Sequence, residues 1–122
     1  MLIEIPDVKQ LSGEPKRRWF SSPSLDLFLW YDEKDKIIQF QICYGKGPNE
    51  HALTWQQEGG LLHHSVDDGE NRSFRMKSTA IMVSGSDFDA EKIAGQFEQL
   101  AGNIDYKTVQ FILSKIMSKE DL

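Results

Sequence analysis

The run SLDLFLWYDEKDKIIQFQICYGK (residues 24–46) decides how the rest of the chain is read. Five consecutive charged residues, Asp32 to Lys36, separate two apolar runs and mark a turn. A turn centred between Lys34 and Asp35 opposes residues whose numbers sum to 69. Tyr31 then faces Ile38, Leu29 faces Phe40, Leu27 faces Ile42 and Leu25 faces Tyr44. Strand side chains alternate with period two, so all eight share one side. The other side pairs Trp30 with Gln39, Phe28 with Gln41 and Asp26 with Cys43. A slip of one residue would mix the two sets, so burial of the first side fixes the register.

A second hairpin follows. Residues 51–58 and 61–67 flank Gly59-Gly60, a pair suited to a tight primed turn. Opposed numbers then sum to 119, pairing Leu53 with Val66, Trp55 with His64 and Gln57 with Leu62 on the more apolar face. Gln56 with His63 and Thr54 with Ser65 lie opposite. Residues 79–84 (TAIMVS) read as a fifth strand, apolar on both faces.

The period then changes to that of a helix. Gly85, Ser86 and Asp87 supply a turn and an N-cap, and Ile93, Ala94, Phe97, Leu100 and Ala101 form one stripe ending at Gly102-Asn103. Asp105 caps a second helix whose apolar positions are Val109, Ile112, Leu113, Ile116 and Met117. Strands followed by helices predict an α+β fold: an antiparallel meander of about five strands packed against two C-terminal helices. The 122 residues read as a single domain, with an N-terminal arm or short strand over 1–23, the sheet over 24–84 and the helical pair over 87–121.

Composition narrows the function classes. Fourteen Lys and Arg against 19 Asp and Glu give a formal charge of −5, against the basic footprint of nonspecific nucleic-acid binding. Lys16-Arg17-Arg18 before Trp19 and Phe20 is a local exception, read as solvated charge beside a core anchor. The single cysteine, Cys43, forms no internal disulfide. The first ten residues lack the pattern of a signal peptide, and no run reaches the ~20 apolar residues of a membrane span. The expectation is a cytoplasmic protein that engages no membrane.

No motif names a reaction. All three histidines, His51, His63 and His64, stand near Asp67, Asp68 and Glu70, residue types that bind metals or exchange protons. Strand geometry weakens that reading. His63 and His64 point to opposite faces, and His64 and Asp68 lie ~13 Å apart at the usual rise. Only His51 and Asp68 oppose each other in this register, so His51, His64 and Asp68 are weak metal candidates. Cys43 opposite Asp26 reads as a packing residue, since the carboxylate would raise its thiol pKa. Gly45-Lys46-Gly47 lacks the ending of a phosphate loop.

The second face of the first hairpin is the other candidate. Phe28 and Trp30 beside Gln39 and Gln41 have the character of a contact surface, or of a face covered by the N-terminal arm or a helix.

The segments RWF, LDLFLWYD, FQICY, ALTW and HHSVDDGE, spread over residues 17–85, resemble a group of short bacterial proteins of unknown function. The resemblance implies a bacterial cytoplasmic origin and no particular activity. The favoured expectation is a non-enzymatic module for protein interaction or self-association through Phe28, Trp30, Gln39 and Gln41, with no cofactor. The alternative is a metal-dependent or acid–base enzyme built on His51, His64, Asp67, Asp68 and Glu70.

Overall fold

A computed structural model describes residues 1–6, 15–45, 50–65 and 88–118. Six antiparallel strands lie side by side in chain order: β1 (Ile3–Glu4), β2 (Lys16–Ser21), β3 (Leu25–Tyr31), β4 (Ile37–Tyr44), β5 (His51–Gln56) and β6 (Gly60–Ser65). Two helices follow, α1 (Ala90–Leu100) and α2 (Tyr106–Met117). The α+β meander with its helical pair is the expected architecture. Two strands come from the N-terminal region, where the sequence predicts an arm or short strand, and the strand expected at 79–84 lies outside the described residues.

The central hairpin keeps the predicted register from Leu25↔Tyr44 to Trp30↔Gln39. Its far end differs. A bulge after Trp30 pairs Tyr31 with Ile37 instead of Ile38. Asp32 sets that end by accepting from the backbone N–H of Lys34 and Lys36, at 2.8 and 2.9 Å. Asp35 takes a left-handed φ of 63°, a conformation aspartate tolerates.

The second hairpin departs from expectation more widely. Gln56 pairs with Gly60 and His51 with Ser65, so opposed numbers sum to 116 and not 119. The loop is Gln57-Glu58-Gly59, closed by Gly60 at φ 75°. A three-residue loop ending in a left-handed glycine is a standard hairpin closure. Only one of the two glycines needs positive φ, so the pair is not the centre of a primed turn. The odd offset moves His63 onto the Leu53 side and sets Trp55 against Leu61 in place of His64.

One face of the sheet carries the core. Phe20, Leu25, Leu27, Leu29, Phe40, Ile42 and Leu53 are essentially inaccessible and cluster with Ile93, Phe97, Ile112 and Ile116 of the helices. Trp55 joins them, stacked on Phe40 and edge-on to Phe111. Lys115 lies over the Trp55 and Phe111 rings at 5.2 and 5.3 Å, a contact for a lysine assigned from spacing to the outer side of its helix. Leu2, fully buried, hydrogen-bonds to the carbonyl of Leu100 and so ties β1 to the end of α1.

The cap of α1 is Asp89, which accepts from the N–H of Lys92, two residues beyond the predicted cap at Asp87. Asp105 caps α2 as expected, accepting from the Thr108 N–H and hydroxyl. Among the described residues no helix is long and apolar enough to cross a membrane.

Phe40→Ala, at the centre of this core, is expected to lower unfolding free energy by ~3–5 kcal/mol in urea titration, and Asp105→Ala by ~1 kcal/mol. Glu4, Asp32 and Asp105 are held below the usual carboxylate range by the Arg18 guanidinium, by the Lys36 N–H and by Thr108, respectively. Each folded value lies below its unfolded one. Each contribution is therefore complete above the unfolded pKa and disappears as pH falls through the folded value. Urea midpoints measured from pH 6 downward should start to fall as pH approaches ~4. Asp105→Ala should flatten that decline.

Candidate interaction surface

Alternation places a second set of side chains on the face turned away from the helices. Register gives three rows across the strands. Arg17, Trp30, Gln39 and Gln56 form one; Trp19, Phe28, Gln41, Thr54 and Leu62 form the next; Ser21, Asp26, Cys43 and Ala52 form the third. Strand β1 extends the face, because Ile3 pairs with Ser21 and the N–H of Ile5 bonds to the Trp19 carbonyl at 2.8 Å. None of these side chains belongs to the core cluster. Thr54, Ala52 and Cys43 are buried, Ile3 is 55% exposed, and Trp19, Phe28 and Trp30 are half-buried.

The aromatic residues form a ladder. Trp19 stacks on Phe28 at 5.6 Å with 12° between planes, and Phe28 on Trp30 at 6.2 Å with 26°. Near-parallel rings at these separations lie partly over one another, the offset arrangement that aromatic quadrupoles favour. They cover part of each other's faces and leave edges outward. Polar groups frame the ladder. Asp26 accepts from the Ser21 hydroxyl at 2.7 Å and from the Trp19 indole N–H at 3.4 Å. Gln41 donates to the Thr54 hydroxyl at 3.0 Å.

The predicted surface residues Phe28, Trp30, Gln39 and Gln41 do lie together on this face. Trp19, Ile3 and Ile5 belong with them and were missed. The signal was available in β2: with Phe20 buried against Leu27, its neighbour Trp19 must point the other way.

The basic run beside Trp19 makes contacts within the chain. Arg18 forms a bidentate pair with Glu4 at 2.8 and 2.9 Å, and Lys16 meets Asp35 at 3.7 Å. The Lys16 and Arg18 cations also lie over Tyr31 and Phe20, respectively. Cys43 is a buried thiol opposite Asp26, as expected of a packing residue.

The histidines gather differently from the expectation. The observed register sets His51 opposite Ser65, so the predicted opposition of His51 and Asp68 is not formed. His64 pairs with Ala52 in β6, and Asp67, Asp68 and Glu70 lie outside the described residues. His51 instead stacks on His63, with ring centroids 5.3 Å apart and 4° between planes. Tyr44 stacks on both, and its hydroxyl hydrogen-bonds to His63 Nε2 at 2.5 Å. Phe88 closes over His63 at 5.1 Å.

Burial pushes the Tyr44 phenol up, so its proton stays on and the hydroxyl can donate to His63. An imidazole lone pair lies in the plane of its ring, and parallel stacked rings direct their lone pairs side by side. They do not converge on an ion ~2.0–2.1 Å from each nitrogen. Among the described residues no group of three His, Cys, Asp or Glu could hold a metal ion.

No family model, curated protein or solved structure matches the chain.

Tyr44→Phe keeps the stack and removes the bond to His63, so it should lower stability by ~1 kcal/mol in chemical denaturation. A loss close to zero would show that other contacts hold the imidazole.

Proposed function

We propose that this chain is a cytoplasmic protein-interaction module that works through the outer face of its sheet, without catalysis and without a cofactor. The observation that carries the reading is the Trp19–Phe28–Trp30 ladder, half-buried and separate from the helix-covered core. Contact surfaces concentrate Trp, Phe and Arg at their centres, with adaptable polar groups around them. Here Ile3, Ile5 and the ladder supply apolar area, and Arg17, Gln39, Gln41 and Asp26 supply the polar frame.

The ring arrangement selects the class of partner. A platform for bases or sugars offers open ring faces, whereas these rings cover one another and present edges suited to protein side chains. The formal charge of −5 points away from a nucleic-acid backbone as well. Cys43, a buried thiol, suits a reducing compartment.

Trp30→Ser tests the reading. Outside the core, the substitution should cost well under the ~3–5 kcal/mol of a core aromatic, leave the circular dichroism spectrum intact and abolish association measured by light scattering or cross-linking. A stability loss as large as that of Phe40→Ala would make the ladder a second core and end the proposal.

A further inference from the structure

The outer face carries two charged side chains near its centre, and they are arranged so that a second copy of the same face complements them. Arg17 stands in the Trp30 row and Asp26 in the Ser21 row, on either side of the Trp19–Phe28 row. Each lies two residues from that row, so they are four residue steps apart along the strands, or ~13 Å. We propose that the occupant of this face is a second copy of the chain. The two sheets are related by a two-fold axis that lies between them, perpendicular to the strands and passing over the Trp19–Phe28 row.

The axis direction follows from charge. A two-fold axis perpendicular to the strands reverses strand direction and brings Arg17 over the partner's Asp26, twice in one dimer. An axis parallel to the strands keeps that direction and sets like charges in opposed rows. The first is attractive and the second repulsive, and juxtaposed like charges are what an interface excludes most strongly. Sheets that pack face to face sit ~10 Å apart with strands within ~30° of alignment, a separation that a long arginine spans more readily than a lysine of fixed point charge. Asp26 already accepts from Ser21 and Trp19, and a carboxylate retains acceptor capacity beyond two bonds. On the axis, Trp19 and Phe28 meet their own symmetry mates, which puts the aromatic anchors at the centre and the charges at the flanks, as in isologous interfaces.

The inference rests on the interaction surface proposed above, and a charge swap separates the two. Arg17→Glu and Asp26→Lys are prepared singly and as an equimolar mixture, with folding verified by thermal melts, and mass is followed by sedimentation equilibrium. The wild type should be a dimer. Each single variant opposes like charges twice in its homodimer and should dissociate at least about tenfold more readily. The mixture should recover dimers near wild-type strength. There the carboxylate introduced by Arg17→Glu meets the ammonium introduced by Asp26→Lys, and the remaining pair is native.

If Asp26→Lys does not fold, Asp26→Asn takes its place. It keeps an acceptor for Ser21 and Trp19, and it should bind the Arg17→Glu variant more tightly than that variant binds itself. A wild type that stays monomeric overturns the second copy as occupant while leaving the Trp30→Ser result to judge the surface. Dimers that form equally well in both single variants overturn the interface geometry.

Discussion

Every side chain in a strand has only two faces to choose from, and the length of each loop makes the choice for the whole following strand. This parity governs the molecule. The core needs Leu25, Leu27, Leu29, Phe40, Ile42 and Leu53 on one side, and all of them are buried there. Moving any strand by one residue would exchange that set for Trp30, Gln41, Thr54 and their neighbours. The helices then have one place to dock, because only one face offers an apolar surface continuous across β2 to β5.

The same rule explains which parts of the fold could be read from residues. In the central hairpin the two faces differ so strongly in polarity that one register is favoured by several buried side chains, and six of its seven observed pairs follow it. The exception, Tyr31 with Ile37, comes from a loop whose shape is set by Asp32 and by a left-handed Asp35. Two isoleucines in succession gave hydrophobicity no means of choosing between them. The second hairpin is less polarised: Trp55, Leu61, Leu62 and His63 occur on both sides of any register. Gly59-Gly60 then carried the decision, and two adjacent glycines do not say which of them takes positive φ. The helices were legible because their stripes are repeated over several turns and Asp105 opens the second.

The register has opposite consequences for the two candidate sites. For the histidines, sequence proximity gave an acidic neighbourhood, whereas the loop gives a stacked aromatic one with Tyr44 and Phe88. Those residue types are as suited to packing as to chemistry, and only the parity distinguishes the roles. For the outer face, nothing depended on the second loop. Phe28 and Trp30 were placed by the central hairpin, and Trp19 by the burial of Phe20.

Charge is distributed to match. At the open side of β2, Lys16 and Arg18 are held by Asp35 and Glu4 and lie over core-side rings, which guards a strand edge against further pairing. The frame of the aromatic ladder is of another kind, made of Gln41, Thr54, Ser21 and Asp26, groups that hydrogen-bond beside the rings. A sheet face meant only for water would place charged side chains at these central positions, where they cost least and prevent association. Here Arg17 and Asp26 flank the Trp19–Phe28 row, and the rings hold its centre. That arrangement gives a partner both an apolar centre to bury and a charge pattern to fix its orientation.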